Sequence, residues 1–228
     1  MSFSIGGLQK SSLLDFPNKI ACIVFTNGCN LRCGYCHNPE LFEKEPVLTV
    51  SAFFDFLKTR IGKLDGVVIT GGEPTLQSDL KNVIEEIKSL GFAVKLDTNG
   101  TNPVILQALL SDNLLDYIAM DIKAPFQKYK KITNVDVDTK KIEKSIDLIM
   151  KSSVDYEFRT TVVKSQLTFD DFEIIGKTIN GAKRYYLQEF IPSKILDDKL
   201  ISEKSYTHDE FKKICAMLKK YVEICDFR

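Results

Sequence analysis

Runs of apolar, β-branched and aromatic residues recur along the chain and predict strands over residues 20–26, 66–70, 92–98, 116–122, 156–163 and 184–190. Cys22-Ile23-Val24-Phe25 and Val67-Val68-Ile69 are nearly continuous rather than alternating. That is the pattern of parallel strands covered on both faces. Between the runs the apolar positions switch to helical spacing. Residues 79–90 align Leu80, Val83, Ile84, Ile87 and Leu90, with Ser78 as N-cap and Gly91 as stop. Residues 140–150 align Ile142, Ile146 and Ile149, and 169–179 follow a capping Thr168. Thr207 and Glu210 form a capping box for a helix carrying Phe211, Ile214, Leu218 and Tyr221. Weaker patterns place helices over 51–61 and 103–111.

Strand followed by helix, six times over, implies βα units and a parallel sheet. Six units are too few for a closed eight-stranded barrel. The expected fold is α/β, a partial (β/α)6 barrel of parallel strands in a single domain over 1–228. A doubly wound open sheet is the alternative. In both, a site belongs at the carboxyl ends of the strands. Residues 222–228 are expected to add a short edge strand.

Composition narrows the function. The 228 residues are 44% hydrophobic and 27% charged, ordinary globular values that exclude disorder, collagen and disulfide scaffolds. Lys+Arg and Asp+Glu both number 31, without the basic excess usual in nucleic-acid binders. No apolar run approaches the ~20 residues of a membrane helix. Residues 1–10 lack the regions of a signal peptide. The expectation is a cytoplasmic protein with no nucleic-acid or membrane partner.

Three of six cysteines, Cys29, Cys33 and Cys36, crowd into the loop 27–39 after the first predicted strand. In a reducing compartment such crowding favours metal over disulfides. Three thiolates can hold three irons of a [4Fe–4S] cube, which normally takes four, leaving one iron open for a ligand. The competing reading is a structural zinc site built from these cysteines with His37, or with Cys215 and Cys225. That would make the chain a non-enzymatic binding module. Second, the strand over 66–70 runs into Gly71-Gly72-Glu73-Pro74. There the glycines let backbone approach a ligand closely, and Glu73 adds a carboxylate.

The cysteine triplet together with Gly71-Gly72-Glu73-Pro74 resembles the radical S-adenosylmethionine superfamily, over nearly the whole chain. The string from Asp15 through Cys29-Asn30-Leu31-Arg32-Cys33-Gly34-Tyr35-Cys36-His37-Asn38-Pro39-Glu40-Leu41 is narrower. It resembles the glycyl-radical-enzyme activases, most closely those of anaerobic ribonucleoside-triphosphate reductase. Leu96-Asp97-Thr98-Asn99-Gly100, Met120-Asp121-Ile122-Lys123 and Tyr186-Leu187-Gln188-Glu189-Phe190 are similar to that family too. Asn18, standing where a glycine is usual, is a departure. The short 7-carboxy-7-deazaguanine synthases, which act on a small heterocycle, share the glycine turn and form the runner-up.

The resemblance implies a [4Fe–4S] cluster held by Cys29, Cys33 and Cys36. Its open iron would bind the methionine moiety of S-adenosylmethionine. One electron, from a donor such as flavodoxin or ferredoxin, would cleave the sulfonium to methionine and a 5′-deoxyadenosyl radical. That radical would take a glycine Cα hydrogen from a partner, expected to be the anaerobic ribonucleotide reductase large subunit. Gly71 and Gly72 would present backbone to the cofactor's ammonium, and Tyr35 and His37 would line its adenine. Glu73, Asp97, Asn99, Asp121, Lys123, Arg159 and Gln188 are the remaining cofactor candidates. Asp121 and Lys123, two apart on a strand, share one face, and Arg159 in an apolar strand requires a buried anion. With Asp97, Asp121 and the cofactor carboxylate gathered together, charge repulsion predicts a potassium or sodium ion held by Asp97, Asp121 and the Thr98 carbonyl, the alternative being that Lys123 and Arg159 together balance the charge. Cys22, Cys215 and Cys225 are expected to be buried thiols and His208 an exposed helix-start residue.

Overall fold

The computed structural model describes residues 3–43 and 45–228. Two antiparallel strands open it, β1 (Ile5–Ser12) and β2 (Ala21–Thr26). Then follow α1 (Val50–Lys58), β3 (Gly66–Gly71), α2 (Leu80–Ser89), β4 (Ala93–Thr98), α3 (Pro103–Ser111) and β5 (Tyr117–Asp121). A short α4 (Tyr129–Thr133) precedes α5 (Thr139–Lys151), β6 (Asp155–Val162), α6 (Phe169–Thr178), β7 (Ala182–Glu189), α7 (His208–Leu218) and β8 (Val222–Phe227). The six predicted strands are β2 to β7, and the six βα units are those expected. β8 is the expected edge strand. β1 was not foreseen: its Gly6, Gly7, Lys10 and serines carry little β-propensity, and pairing with β2 holds it in place.

The sheet order is β1 through β8 in sequence, with β2 to β8 parallel throughout. A doubly wound sheet reverses its strand order at a switch point. No reversal occurs here, so the helices lie on one face and the other face curls inward as a partial barrel. That arrangement excludes the doubly wound alternative.

The helices form where the apolar spacing places them. α2 buries Leu80, Val83, Ile84 and Ile87. Its N-cap is Asp79 rather than the expected Ser78, and Asp79 makes no side-chain cap bond, its carboxylate instead accepting from the Asn82 side-chain Nδ2. α6 and α7 begin with capping boxes, Thr168 with Asp171 and Thr207 with Glu210. Between sheet and helices lies the main core, including Val24, Val67, Ile69, Leu96, Ile118, Met120, Phe158 and Leu187. Full burial of such side chains contributes about 1.5–3 kcal/mol each.

The concave face is different. Phe16, Ala21, Ile23, Val68 and Tyr117 form a small apolar plug. Alternation along the strands adds charged residues to this face, Asp97, Asp121 and Arg159 nearer the carboxyl ends and Lys95 level with Val68 and Tyr117.

Candidate active site

The ends of β2 through β7 converge on one cavity of about 280 Å³. It is lined by Cys29, Cys33, Cys36, Tyr35, His37, Gly71, Gly72, Glu73, Asp97, Asn99, Asp121, Lys123, Arg159 and Gln188, the full set of cluster and cofactor candidates named from the sequence. Leu31, Asn38, Phe42, Thr70, Thr98 and Thr161 complete the wall.

The cysteine loop is braced from several sides. The Cys36 amide donates to the Cys33 carbonyl at 3.0 Å, closing a turn between them. The Arg32 guanidinium donates to the Cys29 and Leu31 carbonyls and lies over the Phe42 ring. Outside the loop, the Arg32 amide donates to the Thr133 carbonyl at the end of α4. The segment after β7 closes the other flank: the Asp197 amide donates to the Gly34 carbonyl, and the His37 ring stacks on Phe190.

The glycine turn presses directly on this loop. A Cβ on Gly72 would stand 1.9 Å from the Gly28 carbonyl oxygen. Gly71 has φ +110°, and a Cβ there would stand 2.5 Å from the Thr26 amide nitrogen. No other residue fits either position. The Gly72 and Glu73 amides donate to the Thr26 and Gly28 carbonyls, both at 2.8 Å.

Glu73 works as a strut. One carboxylate oxygen accepts from the Thr75 amide and hydroxyl and from the Thr98 hydroxyl, the other from the Asn99 amide. These bonds tie the glycine turn to the end of β4. Burial pushes the Glu73 carboxyl up, against the opposing pull of its hydrogen bonds.

Across the cavity floor runs an alternating chain of charges. The Lys95 ammonium meets one oxygen of Asp97, and Arg159 meets the other at 3.2 Å. Arg159 Nε then meets Asp121 at 2.9 Å, and Lys123 takes the second Asp121 oxygen at 3.0 Å. Burial alone would raise both carboxyls. Arg159 and Lys95 outweigh it at Asp97, holding that carboxyl below the ordinary range. Arg159 and Lys123 outweigh it at Asp121, which lies at about 2.

Arg159 reaches Asp97 from β6 across the intervening β5. In the rows of the sheet, Ala119 stands beside Asp97, and a methyl leaves room for the guanidinium. With a cofactor carboxylate, Asp97 and Asp121 would make three anions against the three protein cations Lys95, Arg159 and Lys123, so the charge deficit from which a monovalent cation is expected is met within the protein. Period-two alternation places Lys95 on the face of Asp97, a signal present in the sequence.

The donor set fits an iron–sulfur cluster. Three free thiols from one loop line the cavity. Among the described residues no three His, Cys, Asp or Glu side chains close on a point as ligands of a single ion would. A cube takes each thiolate on a separate iron. Tyr35 is buried, with its hydroxyl against the Cys33 thiol. Burial raises the Cys29 thiol to about 11 and raises Cys33 as well, so metal binding must displace their protons. Cys215 and Cys225 neighbour each other between α7 and β8 and do not line the cavity. With Cys22 they are buried, as expected. His208 is exposed.

A curled parallel sheet with a three-cysteine loop and a glycine turn over one cavity defines a class of protein. The Radical SAM superfamily model matches residues 23–178, and the chain belongs to that superfamily of enzymes. It is 35% identical to a Methanocaldococcus jannaschii protein over 98% of this chain and 95% of that one. That relative carries the provisional name glycyl-radical enzyme activating enzyme MJ1227. A 7-carboxy-7-deazaguanine synthase from Neisseria meningitidis serogroup B is also 35% identical, over only 46% of this chain and 44% of its own. The fold is shared with Streptococcus suis SuiB bound to S-adenosylmethionine. The TM-score is 0.63 at 14% identity, covering 88% of this chain and 47% of that one.

Proposed function

We propose that this chain is a glycyl-radical-enzyme activase, with anaerobic ribonucleotide reductase as its partner. The observation that carries the reading is the meeting of the three cysteines, the glycine turn and the charged strand ends in one cavity, in a chain that matches an activase-named relative along nearly its full length. The match to the deazaguanine synthase stops at about half the chain, which favours a protein substrate over a small heterocycle.

When bound, the cluster and S-adenosylmethionine supply one-electron cleavage chemistry. Cys29, Cys33 and Cys36 hold the cluster in this reading. Gly71 and Gly72 bring backbone close to the cysteine loop, and Glu73 fixes their turn. The Asp97–Arg159–Asp121–Lys123 network sets the charge of the floor and orients the cofactor. Tyr35, His37, Asn99 and Gln188 shape the wall that separates it from water. The electron donor is of the flavodoxin or ferredoxin kind. Among the described residues no helix is long and apolar enough to cross a membrane. Six free thiols suit the cytoplasm.

The test is to mix the anaerobically reconstituted protein, reductant and S-adenosylmethionine with the reductase large subunit and record an electron paramagnetic resonance spectrum. A glycyl-radical signal on the large subunit is expected. Its absence there, with a signal on a formate-lyase-like enzyme, would reassign the partner. Turnover of a pterin-like heterocycle instead would overturn the activase reading.

A further inference from the structure

Lys95 is the least expected charge in the molecule. It sits in the middle of β4 with its side chain 3% exposed, and Asp97 beside it is 13% exposed. Full burial of an ammonium is unfavourable unless it is paired. Its partner is one oxygen of Asp97, whose other oxygen belongs to Arg159. Arg159 and Lys123 divide the two oxygens of Asp121 in the same way. Each of the four carboxylate oxygens therefore has its own cationic nitrogen, and both carboxylates are neutralised from within the protein.

We propose that Lys95 is a positioning residue that serves as the built-in counter-cation of Asp97, so that this site assembles and takes its cofactor without a dissolved monovalent cation. The proposal goes beyond the activase reading and does not depend on it. Lys95 also lines a second cavity of about 300 Å³ below the network, together with Asp15, Glu157 and Glu189. Shortening the side chain would open a polar path from that cavity to the bare oxygen of Asp97. A potassium or sodium ion could then enter, since hard oxygen ligands suit such ions.

Cluster-reconstituted protein, kept anaerobic, is compared in potassium chloride and tetramethylammonium chloride at equal ionic strength. Thermal midpoint and S-adenosylmethionine affinity are both read. The wild-type chain should behave alike in the two salts. Lys95→Ala should melt lower in tetramethylammonium, regain stability in potassium, and bind the cofactor on the order of tenfold tighter in potassium, because a stranded buried carboxylate is costly. The double variant Lys95→Ala with Asp97→Asn should lose this salt response. A wild-type chain that needs potassium, or a Lys95→Ala chain indifferent to it, would overturn the proposal. Should Lys95→Ala fail to fold in both salts, the double variant decides. Folding restored by Asp97→Asn supports a stranded charge, whereas failure of both assigns Lys95 to packing and overturns the role. Neither readout requires a glycyl-radical partner.

Discussion

Glu73 accepts four hydrogen bonds while 1% exposed. An amide in its place keeps one acceptor oxygen and turns a donor toward donors. Glu73→Gln should therefore destabilise the protein by about 1–3 kcal/mol, the cost of unsatisfied buried groups. A denaturant series on cluster-free protein measures this, and a change within about 0.5 kcal/mol would show that the strut is dispensable. Asp121 makes a prediction in pH. Its carboxyl moves from an ordinary 3.8 to about 2 on folding. A depressed carboxyl contributes stability above its unfolded value and loses it as pH falls through the folded one. The stability advantage of the wild-type chain over Asp121→Asn should thus hold above about pH 5 and shrink by roughly 2 kcal/mol by about pH 2. A gap that stays constant through that window would contradict the ion-pair account.

Between elements, the charge network depends on what lies between β4 and β6. Ala119 on β5 is the residue over which Arg159 crosses to Asp97. Ala119→Leu should push the guanidinium off Asp97 and cost about 1–3 kcal/mol through overpacking. The Asp97 carboxyl should then titrate closer to its ordinary value, as followed by carbon NMR of labelled aspartate. An unmoved Asp97 titration would mean that Arg159 reaches it by another route. The elements were legible to unequal degrees. Buried parallel strands are apolar on both faces, so β2 to β7 stood out as continuous runs. β1 is half exposed and held by pairing, and its Gly6-Gly7 and Lys10-Ser11-Ser12 stretches gave no pattern to read. The five-residue α4 is too short for periodicity to declare it. Lys95 was legible, since the same spacing that linked Asp121 to Lys123 links it to Asp97.

At the scale of the molecule, the singly wound order of the sheet does the assembling. Each crossover returns the chain to the next strand in line, so residues from Cys29 to Gln188 reach one rim although more than 150 positions separate them. The loop cysteines were readable from spacing alone. The convergence of Asp97, Asp121 and Arg159 was not, because it depends on strand register and on how far the sheet curls. Cys215 and Cys225, at the far end of the chain, lie outside the cavity. The central claim is that Cys29, Cys33 and Cys36 alone hold a cluster that drives cleavage of S-adenosylmethionine. The most direct measurement is iron content together with 5′-deoxyadenosine formed under reductant, compared across single Cys→Ala variants of anaerobically reconstituted protein. Loss of both in Cys29→Ala, Cys33→Ala and Cys36→Ala, with Cys22→Ala, Cys215→Ala and Cys225→Ala retaining them, is the predicted result. No 5′-deoxyadenosine from the wild-type chain, or equal iron loss in Cys215→Ala or Cys225→Ala, would contradict it.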